Sequence, residues 1–128
     1  MPDAQRIDLK SLIRFIVDQK ELATNLILDE GCVLHIEDPK PLIKVLNYFL
    51  NYLKQFSDHP LQIGLDLMPE YYLLSMLMYT QTNALPPIPE SIAEVLQEYG
   101  ARYELQNQEG SFVQIKVYFQ RQMPAEKQ

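Results

Sequence analysis

Apolar residues recur along this chain with two periods, and the changes of period mark its elements. From Asp38 to Ser57 the period is helical. Leu42, Val45, Leu46, Phe49, Leu53 and Phe56 form one stripe, while Lys40, Lys44, Asn47, Asn51 and Lys54 fall on the opposite side. Asp38 can cap the first free backbone N–H groups. Pro39 and Pro41 sit in the first turn, where a missing donor costs nothing. Upstream, Leu9, Leu12, Ile13, Ile16 and Val17 make a second stripe behind Asp8 as N-cap, running to about Leu22. Downstream, Ile88, Ile92, Val95, Leu96 and Tyr99 give a third, ended by Gly100.

Between the helices the period falls to two. Asn25 to Asp29 and Cys32 to Ile36 are expected to be short strands turned at Asp29-Glu30-Gly31. Leu61, Ile63, Leu65 and Leu67 alternate with Gln62, Gly64 and Asp66, as a half-buried strand requires. After the turn Met68-Pro69-Glu70, residues Tyr71 to Tyr79 are apolar on both faces, the mark of a central strand. Thr80 to Pro89 is a turn-rich link with three prolines. Arg102 to Asn107 and Phe112 to Phe119 predict a hairpin about Glu109-Gly110, with Val113, Ile115, Val117 and Phe119 on one face. The order is helix, two strands, helix, hairpin, helix, hairpin. It predicts an α+β fold, a two-layer α/β sandwich whose mixed sheet carries three helices on one face. One domain is expected over residues 1–128, with a core from about 7 to 119, a short polar lead, and a loose polar tail over 120–128.

The spacing Asn47-Tyr-Phe-Leu-Asn51-Tyr-Leu-Lys54, preceded by Asp38 and a Val-Leu pair, resembles the N-box helix of histidine-kinase-type ATPase domains. That superfamily is shared with DNA gyrase and heat-shock chaperones. The resemblance extends over residues 7 to 119. Ile7-Asp8-Leu9 is similar to the segment leading into that domain's first helix. Val95 to Ala101 is similar to its last helix and following glycine, and Glu109-Gly110-Ser111-Phe112 with Ile115 to Phe119 to its terminal hairpin. The resemblance implies that Asn51 would help hold Mg2+ and that Lys54 would approach phosphate, with Asn47 beside them.

The same comparison exposes departures. Where the family has Asp-x-Gly-x-Gly, whose aspartate recognises adenine, this chain reads Tyr79-Thr80-Gln81-Thr82-Asn83-Ala84. Where the family has a glycine-rich stretch whose backbone N–H groups approach phosphate, it reads Leu85-Pro86-Pro87-Ile88-Pro89. Proline has no N–H to offer, and close backbone approach requires residues without Cβ. The four glycines, Gly31, Gly64, Gly100 and Gly110, all lie elsewhere. Tyr52 stands where the family favours a small alanine, so a phenol would obstruct the pocket. Asn47, Asn51 and Lys54 thus look like relics, and no cofactor is expected.

Composition narrows the alternatives. Eleven basic and seventeen acidic residues give −6 with both histidines neutral, which argues against nucleic-acid binding. No apolar run approaches about 18 residues, so no membrane span is read. Met-Pro-Asp-Ala-Gln-Arg lacks a signal-peptide pattern, and a cytoplasmic location is expected. The one cysteine, Cys32, excludes an intrachain disulfide and reads as a buried strand residue. The two histidines show no metal-ligand spacing, and neither nucleophile elbow nor Cys/His pair gives a catalytic set. Phosphotransfer would have to use His35, expected in a strand, or His59, expected in a loop; neither position suits it.

Eight tyrosines and five phenylalanines are the more suggestive feature. Tyr71, Leu73, Leu77 and Tyr79, or their even-numbered neighbours, must face away from the helices, and Phe112 and Tyr118 join them if Val113 points inward. An exposed apolar sheet face marks an association site. These patterns together predict a non-catalytic regulatory interaction domain of bacterial signal transduction. The partner by analogy is a response regulator, a kinase or a sigma-type factor, and a homodimer is a further possibility. The competing readings are a nucleotide sensor or kinase-like enzyme with a reorganised site around Asn47, Asn51 and Lys54, and a histidine phosphotransfer protein.

Overall fold

The computed structural model describes residues 4–121. Strand β1 (Gln5–Asp8) runs into helix α1 (Leu9–Lys20), followed by β2 (Thr24–Leu28), β3 (Val33–Ile36) and helix α2 (Lys40–Lys54). Then come β4 (Leu61–Leu67), β5 (Tyr71–Tyr79), helix α3 (Glu90–Gln97), β6 (Ala101–Gln108) and β7 (Phe112–Gln120). Five strands form one mixed sheet in the order β2-β4-β5-β7-β6, parallel only between β2 and β4. The expected α+β sandwich, with a mixed sheet under three helices, is present.

Local sequence explains the boundaries. Asp8 caps α1, its carboxylate accepting from the Ser11 N–H at 3.2 Å and the Ser11 hydroxyl at 2.7 Å. The helix stops at Glu21, whose left-handed φ of 53° lets the Glu21 and Leu22 N–H groups return to the carbonyls of Asp18 and Val17. The N-cap of α2 is Pro39, and Asp38, expected to cap the helix, stands one position earlier, where its carboxylate accepts from the Lys40 N–H at 3.0 Å. Gly100, at φ 67°, closes the turn after α3.

One expected pairing is corrected. β2 and β3 are both strands, but they are not each other's partners. β3 pairs antiparallel with β1 in a separate two-stranded sheet, and β2 enters the main sheet beside β4. The Asp29 carboxylate accepts from the Leu67 N–H at 2.9 Å, and the Asp29 N–H donates to the Leu65 carbonyl, which carries the chain along β4 past the expected turn. The expected polar lead is corrected with it, since Gln5–Asp8 is strand. The first two residues of the expected loose tail are held in place: Gln120 ends β7, and Arg121 donates to the carbonyls of Met68 and Pro69. Residues 122–128 lie outside the described residues.

The core lies between the helices and one sheet face. Leu9, Leu42, Phe49, Leu53, Leu61 and Leu65 are fully buried, as are Val113, Ile115, Val117 and Phe119. Each such side chain contributes about 1.5–3 kcal/mol of burial. Packing is close. Where α1 and α2 meet β4 and β5, the residual void lined by Ile13, Leu46, Ile63 and Met76 is only about 10 Å³. Cys32 is buried as expected, which pushes its thiol from 9.0 up to about 11.

Candidate functional site

The first candidate is the polar side of α2. Asn51 is exposed, and Asn47 and Lys54 are half-buried, one turn apart on one face as their spacing requires. The flank beside them is occupied by the chain itself. Helix α2 buries more than its expected stripe, adding Leu50 and Tyr52. Tyr52 is 4% exposed, and its hydroxyl donates to the Pro86 carbonyl at 2.6 Å. Its ring lies 5.4 Å edge-on from Phe56 and 6.1 Å from Tyr48. Phe49, three residues earlier in the helix, packs 5.1 Å from Tyr103 of β6. Burial raises the phenol pKa of both Tyr52 and Tyr103.

The link over residues 80–89 is pinned at several points. Thr80 Oγ1 donates to the Phe56 carbonyl at 3.1 Å. Asn107 Nδ2 donates to the carbonyls of Thr82 and Phe112, both at 3.2 Å, and Asn83 Nδ2 donates to Glu109 at 3.1 Å. Leu85 and Ile88 pack on the core. Three of its residues are prolines without an N–H. Two further donors are already engaged, the N–H groups of Thr82 and Ala84 bonding the hydroxyls of Thr80 and Thr82. Tyr99, beyond α3, donates to the Asp38 carbonyl at 2.7 Å and ties the end of that helix to the start of α2. The arrangement offers an anion few backbone donors, and Tyr52 occupies the flank of α2 that faces the link.

His35 is exposed on β3, and His59 is exposed in the loop before β4. Among the described residues, no group of three or more His, Cys, Asp or Glu side chains is placed to hold a metal ion. No described helix is long and apolar enough to cross a membrane.

The second candidate is the sheet face turned away from the helices. Strand register decides which of the two faces of β5 points outward. Tyr72, Leu74, Met76 and Met78 are buried, so Tyr71, Leu73, Leu77 and Tyr79 point out. Across the ladder to β7, Tyr79 pairs with Phe112 and Leu73 with Tyr118. All six residues singled out in the sequence therefore share one face. Tyr71 and Tyr118 meet edge-on at 5.3 Å, and the Arg102 guanidinium lies 4.1 Å from the Tyr118 ring centroid. Glu104 accepts from both Arg102 and the Tyr118 hydroxyl.

Sequence reasoning missed part of this face. Ile27, 78% exposed, sits on β2 opposite Gly64. Asp66, Lys116 and Arg102 point outward with it. Alternation along each strand contained the signal, but only the pairing register aligns the strands.

No protein-family model matches this chain, and no curated protein matches it. Solved structures do match. The histidine kinase domain of the E. coli osmosensor EnvZ superposes with a TM-score of 0.72 at 9% identity, covering 100% of this chain and 97% of that one. The Acinetobacter baumannii histidine kinase AdeS gives 0.70 at 14% identity over 94% of this chain and 68% of that one. The nucleotide-free catalytic domain of the histidine kinase ThkA gives 0.65 at 17% identity over 91% and 97%. ThkA in complex with the response regulator TrrA also matches, at 0.60 and 16% identity over 91% and 41%. The fold is that of the histidine-kinase ATPase domain.

Proposed function

We propose that this chain is a non-catalytic regulatory interaction domain carried on a histidine-kinase ATPase-like scaffold. It acts as a single domain, in the cytoplasm, in bacterial signal transduction, and without a nucleotide cofactor. One observation carries the reading: Tyr52, buried and bonded to the Pro86 carbonyl, fills the flank of α2 that faces the proline link. A ring there supports binding of a protein over binding of a nucleotide. Asn47, Asn51 and Lys54 then serve as the solvated back of a packed helix. The outward face of β5 and β7 is the docking surface, through Tyr71, Leu73, Leu77, Tyr79, Phe112 and Tyr118. A response regulator is the favoured class of foreign partner, supported by the ThkA complex with TrrA; a kinase or a sigma-type factor is the alternative.

A thermal-shift titration with ATP, ADP and Mg2+ tests this. A ligand at a hundred times its Kd stabilises by about 2.7 kcal/mol, a rise of about 10 °C for a chain of this size. The expected result is no shift at millimolar nucleotide. A saturable, Mg2+-dependent rise that is lost in Asn51→Ala refutes the reading and establishes a nucleotide sensor.

A further inference from the structure

We propose that the open sheet face joins two copies of this chain, packed face to face about a two-fold axis parallel to β5. This rests on the interaction-domain reading and names one partner for its surface.

A two-fold interface must be complementary to itself. The outward face meets that condition along β5 and in its two charged rows. Its middle strand is β5, whose Tyr71, Leu73, Leu77 and Tyr79 lie on the axis and meet their own copies. The strands on either side carry opposite net charge, Asp66 on one and Arg102 and Lys116 against Glu104 on the other. One row across the ladders reads Asp66 on β4, Leu73 on β5, Tyr118 on β7 and Arg102 on β6. The Arg102 guanidinium leans back over the Tyr118 ring at 4.1 Å, so its charge sits above β7, and Glu104 holds it there at 3.2 Å. β4 and β7 are equidistant from β5. A half-turn about β5 therefore brings Arg102 of each copy over Asp66 of the other, twice per dimer.

The next row reads Ile27 on β2, Gly64 on β4, Ser75 on β5, Lys116 on β7 and Glu104 on β6, the Glu104 carboxylate being turned towards Arg102 and Tyr118. The same half-turn sets Lys116 over Gly64, where the absent side chain leaves room for a long one. The area also suffices. Five strands about 4.8 Å apart and about 23 Å long present roughly 550 Å² a side, or about 1,100 Å² in total, just above what a specific interface needs. Complementarity of a face with itself is required for a second copy and for no foreign partner.

Light scattering of the full chain across micromolar concentrations gives the test. The expected mass is about twice the 15.0 kDa of one chain. Arg102→Glu, with the reach by which Glu104 already meets Tyr118, and Asp66→Arg each place like charges together at both contacts and weaken association about tenfold or more. An equimolar mixture of the two variants places opposite charges together at both contacts and restores the dimer. Both side chains are exposed, so circular dichroism will report an intact fold. A monomeric wild type overturns the proposal. So does a dimer indifferent to both reversals, or a mixture that stays as weak as its components. A monomer that shows no nucleotide shift defeats the dimer alone, whereas a nucleotide shift defeats the interaction-domain reading whatever the mass.

Discussion

Removing the Tyr52 hydroxyl and then its ring separates two contributions to the seal on α2. Tyr52→Phe keeps the contacts with Tyr48 and Phe56 and deletes only the bond to the Pro86 carbonyl. Pro86 is exposed, so its carbonyl regains water, and the loss is the net worth of one hydrogen bond, about 1 kcal/mol. For this length that corresponds to about 3–5 °C in Tm. Tyr52→Ala also removes a ring that is 4% exposed, which costs about 3–5 kcal/mol. Urea denaturation measures both. Hydrogen exchange over residues 80–89 reports the link directly, because loss of the hydroxyl frees one of its anchors. Faster exchange there in Tyr52→Phe, at modest global cost, is the expected result. Stability within about 0.3 kcal/mol of wild type and unchanged exchange in the link refute the hydroxyl's role. Tyr52→Ala costing under about 1 kcal/mol refutes the packing of the ring. Opening the flank does not create nucleotide binding, because the link still lacks the donors, and thermal shift on Tyr52→Ala checks that.

Other perturbations follow from single contacts. Asp8→Ala removes the cap that bonds the Ser11 N–H and hydroxyl, and urea denaturation will show a loss of about 1 kcal/mol. Gly100→Ala has room, its nearest atom being Gln120 Cβ at 4.0 Å, but forces a side chain onto φ 67° and costs about 1–2 kcal/mol. The Cys32 thiol, held neutral by burial, stays unreactive toward a thiol reagent at pH 8 in the folded chain and reacts on unfolding. Stability declines as pH rises from 9.0 towards 11, since the unfolded thiol releases its proton across that window while the folded one keeps it. Chemical denaturation at stepped pH, compared with Cys32→Ala, isolates that contribution.

The helices were legible because their apolar stripes are local. Asp8 and Gly100 punctuate them as expected, Asp38 stands one position before the cap of α2, and the two hairpins of the main sheet follow from short turns. β1 was hidden because Gln5–Asp8 holds a single apolar residue, Ile7, and is a strand only through its partner β3. The β2–β3 hairpin was misread for a related reason. Two strands flanking Asp29-Glu30-Gly31 satisfy a hairpin locally, but Leu26 and Leu28 bury themselves only by joining β4, thirty-seven positions on. Alternation told which residues of a strand share a face, and register told which faces meet. That is why Tyr71 to Tyr79 was read with two possible outward sets, while Asp66 and Arg102 were not connected at all. Tyr52 was suspect from its size, yet its bond to Pro86 depends on where a loop without periodic pattern comes to rest.

The parallel contact between β2 and β4 also sets an order of assembly. β4–β5 and β6–β7 close over short turns, whereas β2 must wait for β3 and the whole of α2 to bridge the gap. The join of β5 to β7 waits likewise, its partners lying 33 to 49 positions apart, so the two hairpins are the local pieces of the sheet and β2 is a rim strand of five residues. As a short edge strand it is the first to open: the amides of Thr24–Leu28 exchange through a partial opening that leaves β4, β5, β7 and β6 paired.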